Sequence, residues 1–325
     1  MSEFRTIFDL PESSIEITPN SRLLALGSCF AEEIGLRLSD RKFHVDLNPF
    51  GILFNPVSIA KALEYIGVGR SIDDAAMIRH DGLWHSLLHH GSFSHRERDQ
   101  AWGCIEERIQ YAHRALSTTN TIILTLGSSH AYRHLATKLV VANCHKIPNN
   151  QFKKIMLDLD FMVDELRKSI ELLSHHNPKI KFLVSVSPVR YWRDGAIENQ
   201  RSKARLIMCC EQLCDYFQNV EYFPAYELVI DDLRDYRFYS KDLVHPNAIA
   251  IDYVWEHFTE CCFSDEALNY TKEIESFSKL MAHVPIHPDS DLEKDRIQRL
   301  QEMIHVLEEK YPDRDFSQEK RKIGS

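Results

Sequence analysis

The chain has 325 residues, with 39 basic and 48 acidic side chains, so its formal net charge is −9 when all 17 histidines are neutral. Glycine and proline contribute only 11 and 12 residues, well below the roughly 12 % of an average protein, which excludes collagen-like and disordered chains. The acidic balance argues against a nucleic-acid partner, because affinity for phosphate backbones requires a basic surface.

The chain shows no sign of a secretory signal or a membrane-spanning segment. Its first twenty residues contain three glutamates and one aspartate and lack an apolar core. No apolar run reaches the roughly 18 residues of a spanning helix, so no membrane partner is expected. The eight cysteines form no CxxC pair and no regular framework. Reduced thiols and a cytoplasmic location are therefore expected.

Strand and helix patterns alternate along the first 265 residues. In chain order they predict a strand at 22–26, a helix at 30–38, a strand at 42–46, a helix at 55–66, a strand at 121–126, a hairpin strand at 139–142, a helix at about 151–173, a strand at 180–186, a helix at 199–217, a strand at 220–223 and a helix at 247–263. Strands separated by helices imply a parallel sheet between two helical layers. Residues 1–265 are thus predicted to be one three-layer α/β domain.

The last sixty residues have a different character. Residues 266–325 hold 10 basic and 13 acidic side chains. Ile297, Leu300, Ile304 and Leu307 recur at helical spacing, which predicts an amphipathic helix packed on the main domain. We expect a helical C-terminal extension that ends in a loose tail.

Side chains that can serve as nucleophile, hydrogen-bond donor or base follow the predicted strands. Ser28 and Cys29 follow the first strand, Ser129 and His130 follow the strand at 121–126, and Arg190 follows the strand at 180–186. Ligands of open parallel sheets bind outside the carboxyl ends of the strands. The sequence therefore predicts a site at this edge, where Arg190 and Arg201 are available for an anionic group.

Cys29 stands at a predicted strand-to-helix turn. Free backbone N–H groups and the helix dipole favour an anion there, so we expect a lowered thiol pKa and a nucleophile. The alternative interpretation is a buried cysteine that packs as a small hydrophobe. Ser28, one residue earlier, is a competing nucleophile.

Asp242 and His245 form a DxxH pair just before the last predicted helix of the domain. The carboxylate can hold the imidazole through its Nδ1–H and leave Nε2 free as a general base. The chain order Cys29, Asp242, His245 is compatible with a triad, because triads are defined by geometry.

Three other groups compete for a functional role. Either member of Cys144-His145 could line the site. His85 and His89 would share a helix face, but no glutamate completes an HExxH motif, so no metal ion is expected. Lys203, near a helix start, is interpreted as part of a solvated face.

Several segments together resemble the signature of the GSCFA family. They are LALGSCFAEEIG (24–35), NPFGILFNPVSIAKAL (48–63), LTLGSSHAY (124–132), VANCHKIP (141–148), SVSPVRYWRDGAIENQRSKA (185–204) and YSKDLVHPNAIAIDYVW (239–255). The resemblance covers roughly residues 20–260, with the motifs in the right order.

That family is similar in turn to the SGNH/GDSL hydrolases, so the resemblance implies a flavodoxin-like fold. It also implies that Cys29 occupies the nucleophile position and that Asp242 and His245 complete the triad. The oxyanion-hole glycine falls on Gly51. Ser129 stands where those hydrolases carry an oxyanion-hole asparagine, whose loss in a comparable site costs about 10²–10³ in rate.

The expected function is hydrolysis or transfer of an ester or thioester acyl group, with a small molecule or a carbohydrate as substrate and without a cofactor. Asn48 or Ser129 could replace the missing donor, and we expect Arg190, His130 and His145 to contact substrate. Two alternatives remain open: a ligand-binding module with a reduced oxyanion hole, and an esterase that uses Ser28. The sequence does not indicate the oligomeric state.

Overall fold

The computed structural model describes residues 6–283, 286 and 290–324. The strands in these ranges are β1 (Arg22–Gly27), β2 (His44–Leu47), β3 (Met77–His80), β4 (Leu83–Ser86), β5 (Thr121–Leu126), β6 (His130–His134), β7 (Val140–Val141), β8 (Phe152–Met156), β9 (Lys181–Val186) and β10 (Val220–Phe223). The helices are α1 (Cys29–Asp40), α2 (Pro56–Val68), α3 (Arg98–Leu116), α4 (Leu159–His176), α5 (Gly195–Tyr216), the short α6 (Ala225–Glu227), α7 (Ala248–Cys262), α8 (Asp265–Ala282), α9 (Asp291–Lys310) and α10 (Ser317–Ile323).

Five strands form a central sheet in the order β10-β9-β5-β1-β2, and all of its pairings are parallel. When only the five strands of this sheet are counted in chain order and the sheet is read from β2, the order is 2-1-3-4-5, as in flavodoxin-like folds. Apolar side chains of α2, α3, α4 and α5 share one core cluster, and those of α1, α7, α8 and α9 share a second. The structure therefore confirms the predicted three-layer α/β fold with its C-terminal helices.

The C-terminal helices contribute to the second core cluster. Leu300, Ile304 and Leu307 of α9 are buried, and they share that cluster with Phe43 and Trp255. Residues 317–323, predicted to be loose, form α10. None of the helices in the described ranges is long and apolar enough to cross a membrane.

The predicted helix at 151–173 is wrong over its first part. Residues Phe152–Met156 form β8, which pairs antiparallel with β6, and the helix begins only at Leu159. Phe152 is buried, whereas Lys153 and Lys154, which point to opposite faces of the strand, are both exposed. The ladder with β6 therefore determines the conformation of this segment. β6, β7 and β8 form a small sheet inserted after β5.

Further elements also differ from the sequence analysis. Helix α3 is not predicted, because its buried stripe is narrow and partly made of small residues: Ala101, Ile105, Ile109, Ala112 and Leu116. The histidine-rich stretch forms the β3–β4 hairpin and the turn after it. His85 lies in β4, so the expected helix face does not exist.

Candidate active site

The turn between β1 and α1 positions Cys29. Gly27 has φ +146°, and a Cβ at this residue would lie 2.3 Å from the Thr125 carbonyl oxygen, so the close approach of β5 requires glycine. The Ser28 hydroxyl accepts from the N–H of Phe30 at 3.3 Å and is fully buried. Ser28 therefore caps α1, and Cys29 is the first residue of that helix.

A cavity of about 700 Å³ opens at the carboxyl edge of the central sheet. Five of the predicted site residues line it: Cys29, His130, Arg190, Asp242 and His245. The cavity is placed as the parallel topology predicts, since its walls follow β1, β5 and β9.

Asp242 and His245 form a dyad at the cavity mouth. Asp242 Oδ2 lies 2.7 Å from Nδ1 of His245, and Asp242 Oδ1 accepts from the backbone N–H groups of Val244 and His245 at 3.0 and 3.1 Å. The Val244 N–H and the His245 imidazole lower the pKa of Asp242 to about 2. The carboxylate is therefore ionised at neutral pH, and it leaves Nε2 as the imidazole nitrogen available to a substrate.

Cys29 has electrostatic neighbours that the sequence did not indicate. Burial raises the pKa of its thiol, whereas the charge of Lys203 lowers it, followed by the backbone N–H groups of Phe30 and Cys29 itself. Burial therefore outweighs the helix N-terminus, contrary to the lowered pKa expected from the turn. Both Cys29 and His245 lie in the described ranges, and no hydrogen bond joins them there.

The loops behind the cavity are held by one face of α5. Asn199 Oδ1 accepts from the N–H of Tyr191 at 2.9 Å, and Ser202 Oγ accepts from the N–H of Ser129 at 2.8 Å. On the same face, Lys203 Nζ donates to the carbonyl oxygens of Gly127 and Ser187 at 2.7 and 2.6 Å. One helix thus connects the loops that follow β5 and β9.

Lys203 is 1 % exposed, so its interpretation as part of a solvated face is wrong. Asn199, Ser202 and Lys203 are in helical phase with the buried residues Leu206 and Cys210. That spacing could have identified them, because polar side chains that continue an apolar stripe must point inward. Their charge and polarity suggested the opposite orientation.

Tyr191 is a second site residue that the sequence analysis missed. Its hydroxyl oxygen is buried and has no hydrogen-bond partner among the described residues. A Cβ on Gly127 would lie 2.8 Å from this oxygen, and the ring packs edge-on against Phe54 with centroids 5.6 Å apart. Burial, then the charge of Cys29, raises its pKa, so the phenol stays protonated.

A family comparison identifies the chain. A model of the GSCFA family matches residues 22–258, which include every residue of the cavity wall named above. The chain belongs to the GSCFA family. The resemblance noted in the sequence is thereby confirmed.

Other comparisons of this GSCFA protein are less informative. Comparison with curated protein sequences gives no match. One solved structure, described as that of "a putative platelet activating factor from Streptococcus pneumonia", has a TM-score of 0.40 and 11 % identity, over 74 % of this chain and 83 % of that chain. Similarity at this level gives no information about substrate or activity.

The oxyanion-hole residues implied by the GSCFA resemblance lie outside the cavity wall. The Gly51 N–H donates to the Asn48 carbonyl at 2.7 Å, and the Ser129 hydroxyl donates to Met156 Sδ at 3.1 Å. Asn48 Oδ1 accepts from the N–H of Gly27 at 3.1 Å, while its buried Nδ2 has no partner in the described chain. Of the three residues, Asn48 alone keeps an unused side-chain donor.

Two of the predicted substrate contacts, His130 and His145, lie in different parts of the structure. His130 lines the cavity, where its Nε2 lies 3.5 Å from Asp194 Oδ2, and Asp194 is also paired with Lys154. Burial lowers the pKa of His130, and the Asp194 charge opposes that shift. This wall therefore carries a second imidazole beside a carboxylate, and neither ring nitrogen of His130 has a hydrogen-bond partner among the described residues.

His145 lies away from the cavity wall. Its Nε2 is 2.7 Å from the Ser86 carbonyl oxygen, and its ring stacks on His85 at 4.6 Å between centroids. Burial lowers its pKa to about 4, so the ring is neutral at pH 7. The neighbouring Cys144 does line the cavity, with a pKa that burial raises to about 11. Within the described ranges, no group of three or more His, Cys, Asp or Glu residues is arranged to hold a metal ion.

Proposed function

We propose that this GSCFA protein is an SGNH-like hydrolase or acyltransferase that acts on an ester or thioester acyl group through Cys29. The observation that carries the proposal is that Cys29, at the first turn of α1, and the Asp242–His245 dyad open onto one cavity. Nucleophile, imidazole and orienting carboxylate are the three parts of an acyl-transfer triad.

The proposed reaction has two steps. In the first, the Cys29 sulfur forms a bond to the acyl carbon, the ester or thioester bond breaks, and His245 passes the thiol proton to the leaving group. In the second, His245 takes a proton from water or another acceptor, which attacks the enzyme thioester and releases the Cys29 thiol. The His245 contact would form in the substrate complex, since catalytic hydrogen bonds are often long or absent without substrate.

The negative charge that develops on the acyl oxygen needs donors. The Cys29 N–H at the helix N-terminus is one candidate, and the unpartnered Tyr191 hydroxyl is another. A buried donor without a partner is costly unless a ligand satisfies it. The Gly51 N–H and the Ser129 hydroxyl already donate to other groups, so Tyr191 would supply the hydrogen-bond donor in their place.

The cavity wall supports a small or carbohydrate-linked substrate. A volume of about 700 Å³ is within the usual size of a small-molecule site. Trp192 is 58 % exposed and Tyr132 is 40 % exposed, so each offers a ring face for packing. Arg190 adds a positive charge to the same wall.

Trapping of an acyl-enzyme tests this proposal. The protein would be incubated with an activated acetyl ester and with an acetyl thioester, and hydroxylamine-sensitive adducts would be mapped by mass spectrometry. We expect acetyl on Cys29, loss of it in Cys29→Ala, and no change in the matched control Cys104→Ala, whose thiol is exposed on α3. His245→Ala should slow turnover of the adduct.

Two observations favour the alternative, a ligand-binding module. The Cys29 thiol has a raised pKa, and no hydrogen bond among the described residues joins it to His245. In that case Cys29 would form no adduct and would alkylate no faster than Cys104 between about pH 5 and about pH 9, since reactivity follows the thiolate fraction. An adduct on Ser28 would instead support the serine esterase, although Ser28 is fully buried as the cap of α1.

A further inference from the structure

Lys203 is a lysine in the protein interior, and the described residues provide no carboxylate partner for it. Its Nζ donates to the carbonyl oxygens of Gly127 and Ser187, and within the described ranges no salt bridge involves it. A buried ammonium is unfavourable unless it is hydrogen-bonded and faces an opposite charge. The two carbonyl oxygens provide the hydrogen bonds, but they do not provide the opposite charge.

The surroundings of Lys203 offer one anion-forming group close to the cavity. The rings of Tyr191 and Tyr226 lie 5.4 and 5.9 Å from Nζ, which gives a weak cation–π contribution. Arg190 is a like charge. The thiol of Cys29 is the acidic group whose charge acts most strongly on Lys203, and the interaction is mutual.

Backbone contacts place Lys203 directly behind the Cys29 wall. Its acceptor Gly127 donates its own N–H to the Phe54 carbonyl at 2.8 Å, and both Phe54 and Tyr191 line the cavity with Cys29. The Ser28 N–H donates to the Thr125 carbonyl at 3.1 Å, so the turn that carries Cys29 is bonded to the end of β5. The end of β5 thus lies between α1 and the α5 lysine.

We propose that the buried Lys203 ammonium is the counter-charge of the Cys29 thiolate that forms when His245 takes the thiol proton. This rests on the proposed function, because it assigns the ionisation of that same nucleophile. On ionisation the thiol proton passes to Nε2 of His245, which later gives it to the leaving group, and no other reactant is required. Lys203 acts through Cys29 and is therefore a positioning residue.

Four other charged or titratable groups bear on the pair. Glu32, on the same helix as Cys29, raises the pKa of its thiol, and Arg190 lowers that of Lys203. Tyr191 stays protonated, and Asp194 acts on Tyr191. Burial lowers the pKa of Lys203 to about 7 and the Cys29 charge raises it, so each member of the pair stabilises the charged form of the other.

Alkylation of Cys29 tests the proposal directly. Peptide-mapped iodoacetamide labelling would be followed as a function of pH in the full chain and in Lys203→Met. We expect the midpoint of Cys29 labelling to rise by about one unit and the rate near neutral pH to fall about tenfold. Lys203→Arg should retain most of the rate, and the exposed control Lys168→Met should match the wild type.

A pH midpoint separates this role from a purely structural one, since loss of two hydrogen bonds would lower stability without moving the midpoint. An unchanged midpoint in a folded Lys203→Met protein would overturn the proposal. So would a rise of the midpoint in His245→Ala that Lys203→Met does not reproduce.

A second measurement follows the titration of Lys203 itself, without substituting it. The protein would be labelled with ¹³C at the lysine Cε, and the Lys203 signal, assigned with Lys203→Arg, would be titrated in the wild type and in Cys29→Ala. We expect the Lys203 pKa to fall in Cys29→Ala, because the thiolate that favours its charged form is gone. Identical titrations would contradict the proposal.

The two proposals fail differently. If Cys29 forms no acyl adduct but the Lys203 titration still responds to Cys29→Ala, the proposed reaction is wrong and the ion pair stands. If Cys29 is acylated and neither measurement links it to Lys203, the acyl chemistry stands and this inference is wrong.

Discussion

Asp242 accepts three hydrogen bonds within one turn, and the third comes from Nδ1 of His245 at 2.7 Å. The two backbone N–H donors hold Oδ1 in place, so Oδ2 can select the imidazole tautomer that carries its proton on Nδ1. The dyad is thus oriented by its own loop, and the rest of the chain has only to bring Cys29 to the same cavity.

Replacement of Asp242 by Asn should remove that orientation. The amide can present a donor to Nδ1 and favour the wrong tautomer, which in a comparable triad lowers kcat by about 10⁴. We expect a loss of about 10³-fold or more in turnover of the acetylated Cys29, measured by the decay of the adduct. Asp235→Asn, in the same exposed loop region, is the matched control. Equal decay in both variants would exclude an orienting role for Asp242.

Tyr191→Phe should separate catalysis from stability. Loss of an oxyanion donor lowers kcat by about 10²–10³, whereas the removed hydroxyl has no partner whose loss would destabilise the fold. We therefore expect slower acylation of Cys29 at an unchanged or higher Tm. Tyr132→Phe, on the same wall, should acylate at the wild-type rate. A lower Tm with normal acylation would make Tyr191 a packing residue only.

Ser28→Ala should affect stability rather than chemistry. The hydroxyl caps α1 by accepting from the N–H of Phe30, and loss of such a cap costs about 1 kcal/mol in the free energy of unfolding. Ser264→Ala removes the corresponding cap of α8 and should cost a similar amount. The acetyl adduct on Cys29 should persist in both variants. An acetyl adduct on Ser28 in the wild type that is lost in Ser28→Ala alone would support the serine nucleophile.

His145 should make the fold sensitive to acid. Burial lowers its pKa to about 4 from an ordinary 6.5, so in this range the unfolded chain binds the proton and the folded chain does not. Its contribution to stability is present above pH 6.5 and is lost as the pH falls towards 4, with a magnitude on the order of 2 kcal/mol.

Urea unfolding at several pH values would measure that loss. His145→Asn should lower the slope of the unfolding free energy against pH between about 6.5 and about 4, because its side chain does not titrate there. The remaining slope includes the contribution of His89, whose pKa burial lowers to about 3. His305→Asn, at an exposed position of α9, should leave the slope unchanged. The same slope in His145→Asn as in the wild type would show that other groups cause the acid sensitivity.

Features that depend only on neighbours in the chain can be predicted from the sequence. The apolar, β-branched run at Thr121–Leu126 predicts a buried parallel strand, and the structure has β5 over those residues. Asp242 and His245 are three residues apart, so their hydrogen bond is made within one turn and needs no distant partner. The position of Cys29 at a strand-to-helix turn was likewise a local property.

The environment of the Cys29 thiol depends on the tertiary structure. Cys29 and Lys203 lie on different helices, and their mutual electrostatic effect exists because the two flank the end of β5. The burial that raises the Cys29 pKa and the missing partner of the Tyr191 hydroxyl likewise depend on how remote segments pack. The charge of a lysine near a helix start suggests a solvated side chain, although its helical phase with Leu206 and Cys210 indicates the buried face. Only the packing of α5 against the strand ends decides which groups surround the ammonium, because those neighbours come from remote segments of the chain.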